Sequence, residues 1–246
     1  DEYEDACWPT RSYPIDEPIA RLAVADGATE SAFVSRWARQ LARAWGEGAL
    51  NPDDLTSSLA DEQAAWQAAV NAQPLPWYAE EKARSGAFAA LLGVTVDLRG
   101  GEQAGWAALA VGDCALFHVR GDRLADSFPA TDATFFTSRP LLISSRPERN
   151  RSIAANLYRA AGDLEDGDRL YLATDALGQW FMQSIESGEQ PWDVLDGVMM
   201  RSRRRFAAWV NGLRACGALR NDDVTVLRIE WQPAAAAVIA QDDAAA

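Results

Sequence analysis

The sequence has few of the residues that carry most nucleophilic and transition-metal chemistry. It contains one histidine, His118, and three widely spaced cysteines, Cys7, Cys114 and Cys216. One histidine excludes most multi-histidine metal sites, and a Ser-His-Asp triad would have to use His118 as its base. The cysteines form neither a zinc-binding pattern nor a disulfide framework, which is typical of a reducing compartment.

Positive charge is also scarce. Lys82 is the only lysine, and 23 basic residues stand against 36 acidic ones, for a net charge of −13. Because nucleic acids and anionic membranes bind basic surfaces, we expect no nucleic acid and no membrane as a partner. No apolar run reaches the roughly 18 residues of a membrane span, and the acidic N-terminus lacks a hydrophobic signal segment. We therefore expect a cytoplasmic protein.

The apolar residues predict a mixed α and β protein. Strands occur in runs with helices inserted in blocks, which is typical of a layered α+β domain. We expect one domain over residues 1–232 and a disordered, alanine-rich tail over 233–246. The pattern predicts strands at 21–26, 87–98, 104–111, 114–119, 167–175 and 223–231, and helices at about 30–45, from 55 onwards, at 151–161, 176–187 and 201–216.

Four aspartates share one local pattern, in which an apolar strand meets an aspartate at a turn. They are Asp26, Asp113, Asp175 and Asp222. Carboxylates that converge at one rim repel each other unless protons or cations neutralise them, and their hard oxygen atoms suit Mg²⁺ or Mn²⁺. An aspartate at such a junction is also ordinary turn chemistry. The pattern alone therefore leaves two explanations open, a metal site and a set of unrelated turns.

Six segments appear in a particular order along the chain. They are EDA (4–6), VADGATES (24–31), SGAFAALL (85–92), LAVGDCALFHVR (109–120), EDGDRLYLATDALGQW (165–180) and NDDVTVLRI (221–229). This ordered set resembles the motifs of the protein phosphatase 2C family, the metal-dependent serine/threonine phosphatases, over about residues 2–231. The compact region around 129–165 resembles the bacterial branch of that family.

The resemblance implies a fold, a reaction and a set of metal ligands. The fold would be a four-layer sandwich of two stacked, mainly antiparallel sheets flanked by helices. The reaction would be hydrolysis of phosphoserine and phosphothreonine by a hydroxide that bridges two Mn²⁺ or Mg²⁺ ions. Asp26 would bridge both ions, with Glu4 and the carbonyl of Gly27 on one of them. Asp175 and Asp222 would hold the other ion, and Asp26 and Asp175 are the predicted catalytic residues.

Further roles and departures follow from the same resemblance. Asp113 would form a third, weaker metal site with Asp175, and Asp5 would act through metal-bound water. Ala28 stands where eukaryotic members have a histidine, a candidate general acid. The family's phosphate-clamping arginine would fall before the first residue here, so that clamp is missing, trimmed away or replaced, with Arg11 as a candidate.

The resemblance also implies partners and leaves alternatives open. A phosphorylated protein would be the substrate, and a cognate serine/threonine kinase or the targets of that kinase would be partners. The alternative function is a low-activity phosphatase fold that regulates or binds phosphoproteins, and a third is hydrolysis of small phosphate esters. The basic run Arg201–Arg205 is either a solvated helix face or a docking patch for acidic phosphopeptides.

Overall fold

The computed structural model describes residues 3–11, 14–15, 17–28, 33–72, 82–99, 104–137, 139–199, 201–232 and 237–244. The strands are β1 (Ala6–Trp8), β2 (Pro14–Ile15), β3 (Ile19–Gly27), β4 (Phe88–Asp97), β5 (Gly105–Val111), β6 (Ala115–Arg120), β7 (Arg123–Phe128), β8 (Ile143–Ser144), β9 (Tyr158–Asp163), β10 (Arg169–Ala173), β11 (Val224–Glu230) and β12 (Ala237–Ala244). The helices named below are α1 (Val34–Gly46), α2 (Leu55–Ser58), α3 (Ala60–Asn71), α4 (Ile153–Asn156), α5 (Asp175–Glu186), α6 (Pro191–Met199) and α7 (Arg203–Ala215).

The strands form two sheets in which neighbouring strands run antiparallel. The first sheet has the order β1-β3-β4-β5-β9, with β8 also paired to β4. The second sheet has the order β2-β12-β11-β10-β6-β7. The short link between β5 and β6 therefore carries the chain from one sheet to the other.

Alternation along β3 shows how the layers stack. Leu22 and Val24 belong to the apolar core between the two sheets, whereas Ala23 and Ala25 belong to the core under α1 and α3. Successive side chains of a strand point to opposite faces, so a strand buried on both faces reads as a continuous apolar run. A third core lies between the second sheet and helices α5, α6 and α7. The expected α-β-β-α sandwich is confirmed.

Helix α1 packs against the first sheet through its large apolar side chains. Trp37, Leu41 and Trp45 are fully or almost fully buried. The Trp45 indole donates a hydrogen bond to the Val94 carbonyl at 3.2 Å and lies where a Cβ on Gly93 would stand, 2.2 Å from that position. Each large apolar side chain buried in this way stabilises the fold by about 1.5–3 kcal/mol.

Two predictions from local pattern are wrong in part. The predicted helix over 151–161 is only the short α4, and β9 follows it as the end strand of the first sheet, paired with β5. The predicted disordered tail includes β12, which pairs along β11 and β2. In both places backbone pairing with a distant strand decides the structure, and this information is absent from the local sequence. Within the described residues, no helix has the length and apolarity needed to cross a lipid bilayer.

Candidate metal centre

Three of the predicted aspartates lie at one end of the second sheet. β10 runs between β6 and β11, and Ala173 is opposite both Ala115 and Val226. Rigid strand ends hold side chains accurately in place. Just beyond this row of residues, at the same end of the sheet, lie Asp113, Asp175 and Asp222.

The fourth aspartate reaches the same place from the first sheet. Asp26 lies near the end of β3, in register with Ala90 of β4. Gly112 then carries the chain from β5 towards the second sheet with a φ of 99°, and a Cβ on it would lie 2.4 Å from the Cβ of Ala90. A side chain there would meet both an unfavourable backbone conformation and a clash, so glycine is required. The crossing delivers Asp113 to the space between the sheets.

The structure brings three of these carboxylates into one cluster. One carboxylate oxygen from each of Asp26, Asp113 and Asp175 lies within 4.8 Å of the other two. Asp113 and Asp175 are buried and Asp26 is half-buried. Asp222 lines the same cleft beside them. Residues far apart in sequence therefore form one acidic centre.

The electrostatics of the cluster oppose ionisation. Burial, together with the charges of Asp5 and Asp175, raises the pKa of Asp26 well above its usual value. Burial and the charge of Asp175 raise the pKa of Asp113 to about 7. The pKa of Asp222 is raised by burial and by Asp175 as well. Neighbouring carboxylates in a poorly solvated site behave in this way when no cation balances them.

Unpaired oxygen atoms test whether a divalent cation suits this centre. Among the described residues, Asp113 Oδ2, Asp175 Oδ1 and Asp5 Oδ1 are buried and have no hydrogen-bond partner. Buried carboxylate oxygens are normally paired, so such atoms need an explanation. An oxygen-only donor set without histidine or cysteine suits Mg²⁺ or Mn²⁺, and the residues present fit such ions.

Glu4 and Gly27 lie against each other beside the cluster. A Cβ on Gly27 would be 2.8 Å from the Glu4 carbonyl oxygen, so only glycine allows the two segments to approach this closely. The Glu4 amide donates to the Asp223 carboxylate at 2.6 Å. Within the described residues, the Glu4 carboxylate is not part of the close group formed by Asp26, Asp113 and Asp175.

Asp5 is hydrogen-bonded to Thr174, the residue before Asp175. The Thr174 hydroxyl donates to Asp5 Oδ2 at 2.8 Å, and the Thr225 amide donates to Thr174 Oγ1 at 3.0 Å. Asp5 is 3% exposed. Burial raises its pKa well above the usual value, against the effect of the Thr174 hydrogen bond, and the charges of Asp223 and Asp175 add to the rise.

The cleft also holds cationic side chains that the sequence analysis missed. The cleft has a volume of about 550 Å³, and Thr137, Arg139 and Arg220 line it together with the carboxylates. Arg220 Nη2 lies 2.5 Å from Asp175 Oδ2, and the Arg220 side chain is 38% exposed. The position of Arg220 two residues before Asp222 was a signal that could have identified it. Arg139 lies in an irregular segment, where no pattern indicates a site.

Two predicted departures from the family pattern can be located. Ala28 lines the cleft and therefore occupies the edge of the site. Arg11, the candidate clamp, is exposed, and it is not among the described residues that line the cleft. Arg220 and Arg139 are the arginines positioned to meet an anion there.

Comparisons with known proteins identify the fold. No protein-family model and no curated protein matches the sequence. The chain is similar to the crystal structure of a bacterial serine phosphatase, with a TM-score of 0.54 and 12% identity over 100% of this chain and 94% of that one. It is similar to an arginine-to-lysine variant of a bacterial serine phosphatase, with a TM-score of 0.53 and 13% identity over the same shares, 100% and 94%. The chain therefore has a protein phosphatase 2C-like fold.

Proposed function

We propose that this chain is a bacterial, cytoplasmic, metal-dependent protein phosphatase that removes phosphate from phosphoserine and phosphothreonine. Its catalytic domain would span residues 1–232. The observation that carries the proposal is the cluster of Asp26, Asp113 and Asp175, with buried oxygen atoms that lack partners, at the base of an open cleft. The fold shared with a serine phosphatase supports the same function.

The chain would provide ligands for two divalent ions and a weaker third. Asp26 would serve both ions, Glu4 and the Gly27 carbonyl would serve one, and Asp175 would serve the other with Asp222. Asp113 and Asp175 would hold the third. When bound, Mn²⁺ or Mg²⁺ ions make water more acidic and neutralise charge on the phosphoryl oxygens.

Arg220 and Arg139 would bind the phosphoryl group. Guanidinium groups donate two parallel hydrogen bonds to phosphate oxygens, which fixes the orientation of the group as well as its position. Both arginines line the cleft beside the carboxylates, and Arg220 is exposed enough to turn towards a ligand. In-line hydrolysis requires this orientation, because water must attack phosphorus opposite the serine or threonine oxygen that leaves.

The remaining residues position the reacting groups. The hydrogen bond between Thr174 and Asp5 fixes the start of α5, and with it Asp175. Ala28 carries no titratable group at the edge of the cleft. The proton that the leaving oxygen needs would therefore come from water or from another group of the cleft. The proposed mechanism uses neither cysteine nor histidine, and neither type is among the described residues that line the cleft.

Metal-dependent phosphate release tests the proposal. We expect the full chain to release phosphate from p-nitrophenyl phosphate and from a phosphothreonine peptide with millimolar Mn²⁺ or Mg²⁺, and to lose this activity in EDTA, because carboxylate and water ligands exchange readily. Phosphate release that persists in EDTA would contradict the proposed mechanism. Asp166→Asn, which removes an exposed aspartate on a distant turn, is the control for carboxylate substitutions in the cluster.

The ion pair between Arg220 and Asp175 favours a second candidate function, a low-activity module that binds phosphoproteins. The pair occupies an oxygen of a proposed ligand with a cation of the chain itself, which competes with metal binding. This candidate predicts phosphopeptide binding without turnover at any Mn²⁺ concentration. Turnover that rises with Mn²⁺ would exclude it.

A further inference from the structure

A second cavity, the side pocket, opens directly beside the cleft of the acidic cluster. It has a volume of about 390 Å³, and pockets that hold small ligands are typically roughly 300–1,000 Å³. The side pocket and the cleft share four lining residues, Asp113, Thr137, Arg139 and Pro140. A peptide bound in the cleft can therefore continue into the side pocket.

The walls that the side pocket does not share with the cleft differ in character from the shared ones. Among the described residues, the unshared walls are formed by Gly112, Phe135, Leu141, Asn156 and Tyr158. They include two aromatic rings and no charged side chain, whereas the shared wall carries the charges of Asp113 and Arg139. Ligand pockets lined by apolar and aromatic groups with a few polar ones suit neutral, largely apolar occupants.

The two aromatic rings of the side pocket already contact each other. Phe135 and Tyr158 meet edge to face, with ring centroids 6.0 Å apart and an angle of 72° between the planes. Tyr158 stands on β9, opposite Ala110 of β5. In the described part of the chain, the large apolar side chains that stand out as exposed are Tyr158, at 45%, and Val194, at 46%. A third ring could pack against Tyr158 in the offset or edge-to-face arrangement that aromatic pairs prefer.

The turn that carries Phe135 is anchored to helix α5. It is the single turn Ala133–Phe135, and its first amide donates a hydrogen bond to the Glu186 carboxylate at 2.7 Å. The next residue, Phe136, is buried, and a Cβ on Gly178 of α5 would lie 2.7 Å from its ring. One ring of the side pocket therefore lies on an anchored turn and the other on a paired strand. A pocket held in place in this way loses little conformational freedom when it binds a ligand.

We propose that the side pocket binds an aromatic side chain of the substrate, one or two residues away from the phosphorylated serine or threonine. This assignment rests on the proposed phosphatase function, because it requires the phosphoryl group to occupy the cleft. An extended peptide advances about 3.3 Å per residue, so a neighbouring side chain can reach a pocket that shares a wall with the cleft. A charged side chain would lose hydration there without meeting an opposite charge on the unshared walls.

Phosphothreonine peptides that differ at one position test the proposal. The reference peptide has alanine at the two positions on each side of phosphothreonine, and its relatives carry phenylalanine or leucine at one of these four positions. If the wild type releases phosphate, the measurement is kcat/KM with Mn²⁺. If it releases none from any peptide or from p-nitrophenyl phosphate, the measurement is the affinity of the labelled peptides by fluorescence anisotropy, also with Mn²⁺.

We expect phenylalanine to be preferred at one of the four positions. There it should raise kcat/KM about tenfold over alanine, because an apolar side chain is buried, and about threefold over leucine, because only a ring gains the aromatic contact. The gain should lie mainly in KM, since the pocket holds a part of the substrate that does not react.

Three variants assign the preference to Tyr158. Tyr158→Ala should reduce the phenylalanine-to-alanine ratio to less than about twofold, whereas Tyr158→Phe keeps the ring and should keep the ratio. Val194→Ala is the matched control, because Val194 is equally exposed and is not among the described residues that line the side pocket. Each ratio is measured within one protein, so a smaller folded fraction of a variant does not change it.

Three results would overturn the proposal. They are equal values for the phenylalanine and alanine peptides at all four positions, equal values for phenylalanine and leucine, and a ratio in Tyr158→Ala that matches the ratio in Val194→Ala. Failure of the phosphatase function gives a different result, the absence of phosphate release from every substrate. A binding preference for phenylalanine that Tyr158→Ala removes would then still support the side pocket as a phosphopeptide site, and the absence of peptide binding would overturn it.

Discussion

The two ends of strand β10 carry buried aspartates in opposite electrostatic surroundings. Asp168 precedes the strand and accepts hydrogen bonds from Arg120 Nη2 and from the Glu165 amide, each at 2.8 Å, and pairs with His118 Nε2 at 2.8 Å. Burial opposes ionisation there, yet the bonds from Arg120 and Glu165 outweigh it and lower the pKa of Asp168. This end of the strand obeys the rule that buried charges are paired.

At the other end of β10, the aspartates have other carboxylates as their neighbours. Burial and neighbouring carboxylates raise the pKa of Asp26 and of Asp113, and Arg220 is the cation that contacts the group within the described residues. Paired aspartates stabilise a fold, whereas a cluster of unpaired ones destabilises it until a cation binds. The difference between the two ends is the one expected between a structural network and the proposed catalytic centre.

The sharpest test of this contrast is Asp26→Asn. The change is nearly isosteric and relieves repulsion, so the fold should survive, while phosphate release should fall about 10³-fold, as it does when a key electrostatic stabiliser is removed. Asp175→Asn should behave in the same way. The measurement is kcat with saturating Mn²⁺, with circular dichroism as the check on folding. Activity of both variants within a few-fold of the wild type would refute the assignment of these aspartates.

Asp168→Asn, in contrast, should destabilise the fold. It breaks a buried ion pair, so we expect the free energy of unfolding to fall by about 3–5 kcal/mol. Because the folded pKa lies below the unfolded value of about 3.9, the ionised form stabilises the fold above that pH, and this contribution is lost as the pH falls through the folded pKa.

Urea denaturation between pH 3 and pH 7 measures the effect of Asp168→Asn. The gap between variant and wild type should be largest near neutrality and should narrow in acid. Asp166→Asn, on the same turn but exposed, is the control and should remain within about 0.5 kcal/mol of the wild type. A gap that does not depend on pH would show that the charge of Asp168 is irrelevant.

Metal should stabilise the folded protein by binding to the acidic cluster. With Mn²⁺ at about 100 times its Kd, the wild type should gain about 2.7 kcal/mol by mass action. Asp113→Asn should start at least as stable without metal, since repulsion is reduced, and should gain less on adding metal. Thermal unfolding with and without Mn²⁺ measures both effects. An equal gain in wild type and Asp113→Asn would exclude Asp113 as a ligand.

Arg220 provides the smallest expected effect. Arg220→Gln should raise the KM for a phosphothreonine peptide about tenfold, as expected for the loss of one charge-assisted anion contact, and should change kcat less. Removing a cation that contacts Asp175 should also leave Mn²⁺ binding as tight or tighter. Arg123→Gln, an exposed arginine on β7, is the control. Weaker Mn²⁺ binding in Arg220→Gln would mean that the arginine supports the metal centre instead of competing with it.

Much of the fold could be predicted from sequence because burial leaves a periodic pattern. The runs at 21–26 and 223–231 are rich in apolar residues, and they became the inner strands β3 and β11. The edge strand β9 was mistaken for helix, because an edge strand has one partner and weak apolar patterning. The register between distant strands leaves no comparable mark in a single sequence.

The sequence by itself determined the chemistry that is available here. Its one histidine and its lack of a cysteine pattern exclude most metal sites built on those residues, and its aspartates at strand ends are the candidate ligands that remain. The ordered motifs around Asp26, Asp113 and Asp175 indicated the fold, which the structure confirmed. Composition and the order of motifs are read directly from the sequence, so these conclusions need no coordinates.

The tertiary structure alone decided which of these side chains meet. Only the crossing at Gly112 and the register of Ala173 with Ala115 bring Asp26, Asp113 and Asp175 within 4.8 Å. The approach of Arg220 to Asp175 depends on how the layers pack. Electrostatic interactions act through space and fall off with distance, so residues far apart in sequence acquire a shared function only when packing brings them together.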